Sequence, residues 1–385
     1  MRIIYLDNAA STWPKPAGVK EAMAEVIDHY AANPGRGGHA LSKRAGKTLF
    51  QTRAQLSRLF GIKNPNNLFF FLNATQALNQ AIKGYLQAGD HVISTTIEHN
   101  AVRRPLEYMR RTKNVEITYI APREDQLFYA EDFRQAVQAN TRLIVVSHAS
   151  NLTGLILPVE EIGKIAREHS IPLLVDASQT AGILPIDVES MNIDMLAFPG
   201  HKGLYGPQGT GGLYINDSLE LEPLIHGGTG SQSESVDQPQ KRPERFESGT
   251  VNTVGLAGLL AGANFVLERG VEEIHKHEWT LARMTMEGLS QLSGIKMYGP
   301  GLDIERVGVV SFNIEGIDAT EVSFILDQQY GIATRAGYHC TPLAHQTVGT
   351  DKEGAVRVSF GIFNTEQDVR DLLQAVKEIK EAFHF

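Results

Sequence analysis

The sequence predicts an α/β fold whose large domain holds a mostly parallel seven-stranded sheet between helices. Seven short apolar runs, each typical of a strand, recur between residues 68 and 215, and helical patterns separate most of them. Strands that alternate with helices form βαβ units, and the resulting parallel sheet is covered on both faces. A chain of 385 residues is also too long for one small core, so we expect a second, smaller α+β domain.

The strands of the large domain are predicted from short apolar runs. These runs lie at residues 68–72, 91–95, 115–120, 143–147, 172–175, 195–198 and 212–215. The clearest helical patterns between and before them lie at residues 17–30, 43–60, 75–86 and 159–169. Because ligands of such sheets bind beyond the carboxyl ends of the strands, we expect the functional residues there.

A change of composition precedes the second unit. Residues 227–235 are rich in Gly and Ser, and prolines and charges follow, which indicates a long functional loop rather than a linker. Beyond Gly255 the pattern predicts a long helical stretch, a strand at 309–314, a helix at 320–328, a strand at 356–360 and a terminal helix at 365–383 that begins with a capping signal, Thr365 and Asp368. We expect a large domain over residues 15–260 and a small domain over residues 1–14 and 261–385.

Bulk composition narrows the class of protein. Acidic residues outnumber basic ones by 44 to 36, for a net charge of −8, so a broad nucleic-acid surface is not expected. No run reaches the roughly 18–20 apolar residues of a membrane span, and the first residues lack the apolar core of a signal peptide. The single cysteine excludes an intramolecular disulfide and suits a reducing compartment, so we predict a cytoplasmic protein. We also predict no metal site.

Two predicted strand ends offer one acid and one amine. The run at 172–175 ends at Asp176, and the run at 195–198 stops before a turn that presents Lys202. A pyridoxal phosphate enzyme needs this pair. The lysine holds the cofactor aldehyde as a Schiff base, and the carboxylate keeps the pyridine nitrogen protonated, so that the ring acts as an electron sink.

Each member of the pair also has a purely structural interpretation. Lys202 alone would be a solvated lysine, and Asp176 alone a helix N-cap with Gln179 as its partner three residues on. Glycines on both sides of the lysine favour the functional interpretation, because they permit close approach of the backbone to a ligand. In that interpretation Gln179 hydrogen-bonds the cofactor phenolate oxygen.

Other predicted strand ends carry weaker signals. The turn Asn73-Ala-Thr-Gln76 opens a helix whose N–H groups suit a phosphate, but a plain capping turn is the better explanation of it alone. His99 either stacks on an aromatic cofactor or is a satisfied structural histidine. Asn151 is either a substrate contact or a turn asparagine. Arg357 alternates within a strand, which fits either a solvent-facing arginine or a bidentate clamp for a substrate carboxylate.

Cys340 lies in the motif Arg335-Ala-Gly-Tyr-His-Cys340. A free cysteine is usually a small buried hydrophobe. Here the neighbouring glycine, tyrosine and proline indicate a loop, and Arg335 and His339 are nearby cations that favour a thiolate. An electron sink together with a lone thiol suggests sulfur chemistry.

Together these motifs resemble the class V aminotransferase-like family of fold-type I pyridoxal phosphate enzymes. The resemblance runs from Tyr5-Leu-Asp-Asn-Ala-Ala10 to Arg357-Val-Ser-Phe-Gly-Ile-Phe-Asn364, and its specific part is Gly-His-Lys at 200–202 with the cysteine motif. Within the family the chain is similar to the branch of cysteine desulfurases and selenocysteine lyases. It departs from many relatives at Pro199, where they have Ser or Thr, and at Tyr338, where they have His.

The resemblance implies a role for each candidate residue. It makes Lys202 the Schiff-base lysine, Asp176 the partner of the ring nitrogen and Cys340 the nucleophile that attacks the substrate sulfur. Further cofactor contacts that it implies are Gln179, His99, Ala74, Thr75, His201 and, reaching the phosphate of the neighbouring subunit of a homodimer, Thr250. The substrate contacts that it implies are Asn151 and Arg357, and His99 is also implied in catalysis.

The implied activity is that of a cysteine desulfurase, which converts L-cysteine to L-alanine and leaves a persulfide on Cys340 for an acceptor protein or a reductant. The alternatives within the fold are a selenocysteine lyase that acts on L-selenocysteine, and an aminotransferase or epimerase. An alternative of another class is a non-catalytic sulfur carrier or regulatory protein. The presence of Lys202, Asp176, Cys340 and Arg357 argues against that last interpretation.

Overall fold

The computed structural model describes residues 2–34, 37–232 and 234–383. Within these residues the strands, in chain order, are β1 (Ile4–Tyr5), β2 (Leu68–Phe71), β3 (His91–Thr95), β4 (Glu116–Ile120), β5 (Thr141–Ser147), β6 (Leu173–Asp176), β7 (Met195–Pro199), β8 (Gly211–Ile215), β9 (Ile295–Tyr298), β10 (Val309–Ile314), β11 (Ile332–Ala333), β12 (Arg335–Gly337) and β13 (Ala355–Ser359). The helices are α1 (Ala17–His29), α2 (Ala40–Leu59), α3 (Ala74–Tyr85), α4 (Asn100–Lys113), α5 (Ala130–Gln135), α6 (Val159–Glu168), α7 (Thr253–Arg269), α8 (Val271–Ser290), α9 (Ala319–Tyr330), α10 (Pro342–Val348) and α11 (Glu366–Phe383).

The strands β2 to β8 form one seven-stranded sheet in the order β2-β8-β7-β6-β5-β3-β4. β8 runs antiparallel to its neighbours β2 and β7, and the other neighbouring pairs are parallel. These are the seven strands that the apolar runs predict. The predicted α/β fold with a mostly parallel sheet is therefore confirmed.

Both faces of this sheet are buried under helices. Along β5, Ile144 and Val146 belong to one apolar cluster, while Leu143 and Val145 belong to another, as the two-residue period of a strand requires. The first cluster includes residues of α2, α5, α6 and α7, and the second includes residues of α3 and α4. Burial on both faces explains why the strands are continuous apolar runs rather than alternating patterns.

The second unit is built on an antiparallel sheet in the order β12-β13-β10-β9, beside the parallel pair β1-β11. Its apolar core joins residues of α8, α9 and α11 to Ile4 and Leu6 of the N-terminal segment. The predicted boundary at residue 260 falls inside α7, and α7 packs against α1 and α2 of the large unit. The division into two domains stays a prediction.

Several local predictions have a clear outcome. The terminal helix begins with the predicted capping box, in which the Asp368 amide donates to Thr365 Oγ1 at 3.3 Å and the Thr365 amide donates to Asp368 Oδ2 at 2.9 Å. The described part of the segment between β8 and α7 contains no helix or strand, as expected of a long loop. No single described helix is long and apolar enough to cross a membrane; α7 and α8 meet that test only together, and they bend by 82° at their junction.

Candidate active site

The carboxyl ends of three neighbouring strands border a pocket of about 220 Å³. Ser147, Asp176 and Pro199 are the last residues of β5, β6 and β7, and all three line it. The pocket brings together nine of the site residues that the sequence predicts, which are Ala74, Thr75, His99, Asn151, Asp176, Gln179, His201, Lys202 and Arg357. Two others, Cys340 and Thr250, do not line it.

Lys202 lies on the turn after β7, between Gly200 and Gly203. A Cβ added at Gly203 would lie 2.5 Å from the carbonyl oxygen of Ala181, and one added at Gly200 would collide with Thr210. The two glycines are therefore needed because the turn packs closely against the protein itself. That the glycines also permit close approach of a ligand stays a prediction.

The electrostatics of the turn favour a reactive amine. Burial lowers the pKa of Lys202 to about 8; Arg357 and Arg335 act in the same direction, and Asp176 opposes them. A lysine with such a pKa offers a neutral, nucleophilic amine in a substantial share of molecules near neutral pH. A pocket position and a lowered pKa do not belong to a solvated lysine, so that alternative is wrong.

No described helix follows β6, so the interpretation of Asp176 as a helix N-cap is wrong; its carboxylate instead closes a turn at the edge of the pocket. Its Oδ1 accepts hydrogen bonds from the backbone amide and the hydroxyl of Ser178, while no described donor bonds to Oδ2. Burial raises the pKa of this carboxyl, and the hydrogen bonds from Ser178 lower it. The Nε2 of Gln179 donates to the carbonyl of Ala9 at 3.2 Å, so the expected role of Gln179 as a capping partner is also wrong. A buried acid with a free oxygen in a pocket suits the protonated nitrogen of a ligand ring.

The N-terminus of α3 is capped by a side chain, and two of its backbone N–H groups remain free to bind a ligand. Asn73 Oδ1 accepts from the amide of Gln76 and caps the helix, while Gln76 Oε1 accepts from the amide of Leu72, the residue before the cap, each at 2.9 Å. Ala74 and Thr75 line the pocket, and no described acceptor bonds to their amides. Free N–H groups at the start of a helix favour a phosphate.

Two histidines of the pocket are neutral near pH 7. Burial lowers the pKa of His99 to about 4, with Lys202 acting in the same direction, and burial likewise lowers the pKa of His201 to about 4. His99 caps α4, since its Nδ1 accepts from the amide of Ala101 at 3.0 Å, which assigns the ring proton to Nε2. His201 Nδ1 lies 3.1 Å from Ser11 Oγ. Both rings can therefore contact a ligand without adding charge.

Arg357 is buried in β13, with 1% of its side chain exposed, so the solvent-facing alternative is wrong. Its Nη2 lies 2.7 Å from Asp7 Oδ1, and its Nη1 donates to the carbonyl of Asn151 at 3.0 Å. Its Nε is buried and has no hydrogen-bond partner among the described residues. Asn151 in turn donates from Nδ2 to the carbonyl of His339 at 2.7 Å. Two of the five N–H donors of the guanidinium thus fix it in the pocket wall.

Cys340 is exposed and lies beside the pocket rather than in it. Arg335, which lines the pocket, places Nη2 3.8 Å from Cys340 Sγ. The expectation of a second cation at His339 is wrong, because burial lowers the pKa of that histidine to about 2 and keeps it neutral. Arg335 is therefore the cation that contacts the thiol.

The backbone around the thiol is tied to the segment that carries His99. The amide of Asn100 donates to the carbonyl of Cys340 at 2.8 Å, and Thr341 Oγ1 donates to the carbonyls of Ile97 and Glu98, each at 3.1 Å. His339 and Cys340 have φ angles of 49° and 58°, in the left-handed region that non-glycine residues rarely adopt. Such a conformation persists where surrounding contacts hold it.

Thr250 lies in a different cavity, of about 310 Å³, beside β2 and the start of α7. Its loop is anchored by Glu247, whose carboxylate pairs with the buried guanidinium of Arg53 at 2.9 Å and accepts from the amide of Phe70 at 2.7 Å. Thr250 therefore does not line its own chain's pocket. The contact with a neighbouring subunit stays a prediction.

Sequence reasoning missed two acids of the site. One is Asp7, which lies in the N-terminal motif quoted above and forms the ion pair with Arg357. Glu98 is fully buried next to His99; burial raises its pKa to about 7, and it accepts hydrogen bonds from Thr95 and Ser147. For Glu98 the signal was an acid directly before the candidate histidine at a strand end.

The arrangement fits pyridoxal phosphate, since a low-pKa lysine, a buried carboxylate with a free oxygen and a free helix N-terminus face one pocket. A family model described as aminotransferase class-V matches residues 4–372. The chain is 35% identical over 382 residues to a probable cysteine desulfurase of Methanothermobacter thermautotrophicus, covering 98% of this chain and 94% of that one. It is 33% identical to a cysteine desulfurase of Salmonella agona, covering 98% and 93%.

Among solved structures, the apo structure of a cysteine desulfurase from Thermococcus onnurineus NA1 has a TM-score of 0.93 at 33% identity, covering 99% of this chain and 95% of that one. The shared fold extends over the whole chain, and so does the match of the sequence. The fold, the strand-end lysine and acid, and these likenesses agree: the chain belongs to the class-V aminotransferase family.

Proposed function

We propose that this chain is a pyridoxal phosphate-dependent cysteine desulfurase that converts L-cysteine to L-alanine and leaves a persulfide on Cys340. The observation that carries the proposal is an exposed thiol, contacted by Arg335 at 3.8 Å, next to a pocket that contains Lys202 and Asp176. Relatives at 33–35% identity that are called cysteine desulfurase support it.

The residues that would hold the cofactor are those that face the pocket. Lys202 would bond its aldehyde, Asp176 Oδ2 would accept from its ring nitrogen, and the amides of Ala74 and Thr75, with His201, would bind its phosphate. Bound pyridoxal phosphate supplies an aldehyde for the substrate amine and an electron sink for the electrons of the α-carbon.

The chain's own residues orient the substrate and move its protons. Arg357 and Asn151, which both line the pocket, orient the α-carboxylate. The lowered pKa of Lys202, about 8, gives the free amine a neutral fraction near neutral pH that can remove the α-proton as a general base.

Sulfur transfer takes place at Cys340. Its thiolate attacks the substrate Sγ, so that an S–S bond forms while the Cβ–Sγ bond breaks and leaves its electron pair on the carbon skeleton. Arg335 stabilises the negative charge on the attacking sulfur. Protonation of the carbon skeleton then gives alanine, and the persulfide passes to an acceptor protein or a reductant.

The proposal includes a homodimer with shared sites. Exposed apolar side chains, Leu72, Leu224 and Ile225, line the cavity that also contains Thr250. A contiguous apolar face of this kind is typical of a surface covered by a partner. A second copy on this face would bring Thr250 towards its neighbour's pocket. A reducing compartment such as the cytoplasm suits the chemistry, because Cys340 must stay a free thiol.

The test is product analysis with the protein loaded with pyridoxal phosphate. We expect L-cysteine to give alanine and sulfur in equal amounts, with L-selenocysteine assayed in parallel to separate the two substrates. Borohydride reduction should fix a pyridoxyl group on Lys202 and not on Lys15, whose Nζ lies 2.7 Å from the carbonyl of His201. An amino-acid product other than alanine, or an adduct on Lys15 alone, would contradict the proposal.

A further inference from the structure

Glu278, on α8, is a buried acid that the proposed mechanism does not use. Only 2% of the residue is exposed, and no described donor forms a hydrogen bond with its carboxyl group. Burial raises its pKa to about 8, and no hydrogen bond from a described residue opposes that shift. An uncompensated acid of this kind costs stability, and such groups concentrate at functional sites.

A small cavity connects this acid to the catalytic lysine. The cavity has a volume of about 20 Å³, and both Glu278 and Lys202 line it. Its wall also includes the polar residues Asn8, Thr12 and Ser178. A cavity needs roughly 10–15 Å³ and two or more polar partners to hold one water molecule, so this one has room for a single water.

The cavity is separated from the main pocket only by a shared wall. Lys202 borders both spaces, and so do Ala9, Ser178 and Gln179. Room next to the acid depends on Gly308, where an added Cβ would lie 3.3 Å from Glu278 Oε2. The lysine therefore has the substrate pocket on one side and a route to a buried acid on another.

The proposed reaction needs a second source of protons. The α-carbon gives up one proton before the Cβ–Sγ bond breaks, and afterwards Cβ and the α-carbon each take up one. The carbon skeleton thus gains one proton overall, which the thiol of Cys340 released on becoming a thiolate. Lys202 can return the proton that it removed to one carbon. To protonate the other carbon it must take up a second proton in each turnover.

We propose that Glu278 recharges Lys202 with a proton through the water in this cavity and is itself reprotonated from solvent. The inference rests on the proposed function. Glu278 is a positioning residue in this scheme, because it acts on Lys202 and does not touch the substrate. The described titratable groups that face it from packed elements are Lys202 and Tyr205, and the pKa of Tyr205 is raised by burial and by Glu278. His275, on the same helix, is engaged with the carbonyl of Arg306 at 3.0 Å.

The experiment follows the fate of the α-proton with L-cysteine that carries deuterium at the α-carbon. In the wild type the relay exchanges the lysine-bound deuterium with water, so most of it is lost from the alanine. In Glu278→Gln the relay is broken, and we expect retention of deuterium in alanine to rise about threefold or more, with kcat falling about tenfold and KM unchanged. Glu278→Asp should restore part of the exchange.

Two further variants separate a relay from a structural role. Val309 lines the cavity, so Val309→Ile should exclude the water and raise deuterium retention while Glu278 is still present. Glu273→Gln removes an exposed acid from the same helix and should behave as the wild type. Independently of activity, infrared spectra of the cofactor-free protein at pH 6 should contain a protonated-carboxyl band that Glu278→Gln removes.

The outcomes distinguish this inference from the proposed function. If the wild type makes no alanine, the proposed function fails. If the wild type makes alanine but neither Glu278→Gln nor Val309→Ile changes deuterium retention, the relay is refuted and the desulfurase stands. If Glu278→Gln does not fold, Val309→Ile alone decides between these results.

Discussion

Arg357 and Asp7 form an ion pair between β13 and the N-terminal segment, with Nη2 2.7 Å from Oδ1. The arginine side chain is 1% exposed and the aspartate side chain 21% exposed. The pair joins residues 350 positions apart and fixes a guanidinium in the pocket wall. It therefore links the first residues of the chain to recognition of the substrate carboxylate.

We expect Asp7→Asn to raise the KM for L-cysteine about tenfold with a small change in kcat, because Arg357 loses the partner that orients it. Arg357→Lys should raise KM by about 100-fold, since an ammonium group cannot replace a planar, multiply bonded guanidinium. Steady-state kinetics measure both. An unchanged KM in Arg357→Lys would show that the arginine does not bind the carboxylate.

Asp176→Asn should lower alanine production by about 100-fold or more while pyridoxal phosphate still binds, because a neutral ring nitrogen makes a poor electron sink. Asp194, which lies just before the amino end of β7 and so at the far end of the strands from the pocket, is the matched control. Asp194→Asn should keep the activity at a moderate loss of stability, since Asp194 accepts from the Leu173 amide at 3.1 Å. Near wild-type turnover in Asp176→Asn would remove the assigned role.

Cys340→Ala should bind pyridoxal phosphate and L-cysteine as the wild type does, since Cys340 does not line the pocket. Alanine production should fall to a few per cent, because nothing remains to take up the sulfur. Mass spectrometry of the wild type after brief exposure to L-cysteine should find one added sulfur, about 32 Da, on the Cys340 peptide. Undiminished alanine production by Cys340→Ala would contradict the nucleophile role.

Mixing two inactive variants tests whether sites are shared between subunits. Lys202→Ala and Thr250→Ala should each be impaired alone, and mixed dimers should regain activity, because one of their two sites combines an intact Lys202 with an intact Thr250. Random association makes about half of the dimers mixed, and each mixed dimer has one intact site of its two. We therefore expect recovery of about a quarter of the wild-type activity. Size-exclusion chromatography checks that dimers form, and mixed dimers without activity would contradict a shared site.

The pH dependence of stability should report on Glu278. The folded protein keeps this proton up to about pH 8, whereas the ordinary pKa of 4.5 applies to the unfolded chain. Between these values folding takes up a proton, so the free energy of unfolding falls as the pH rises. Glu278→Gln removes this loss. Its free energy of unfolding, relative to that of the wild type, should therefore rise by on the order of 2–4 kcal/mol between pH 4.5 and pH 8. Denaturant unfolding of both proteins at pH 5 and pH 8 measures this change. The same difference in free energy of unfolding at the two pH values would contradict a raised pKa of Glu278 in the folded protein.

The elements that bury continuous apolar runs could be predicted from the sequence alone. The strand at 91–95 and the strand at 309–314 have the predicted limits, because each lies inside its sheet between two other strands and all of its residues are buried. The helix predicted at 43–60 begins earlier, at Ala40, because the ring of His39 accepts from the Ser42 amide and acts as a cap, a role in which histidine is uncommon.

The site could be predicted where side chains stand at strand ends, and not where distant segments meet. Asp176 and Lys202 are each recognisable from local sequence, since the sheet brings neighbouring strand ends together. The partnership of Asp7 with Arg357, and the cavity behind Lys202 that contains Glu278, arise from packing of segments far apart in the chain. The charge of His339 was misjudged for the same reason, because its burial depends on the fold and not on its neighbours in sequence.

The anchoring of the Cys340 loop limits how sulfur leaves the protein. Asn100 and Thr341 hold the backbone on both sides of a thiol whose own φ angle is already unusual. If the proposed persulfide forms there, it is a stationary donor, and the gap to an acceptor must be closed by the acceptor. Such a protein has to bring its own nucleophile to the exposed thiol of Cys340. The shape of the acceptor protein, rather than movement of the Cys340 loop, then decides which proteins receive sulfur.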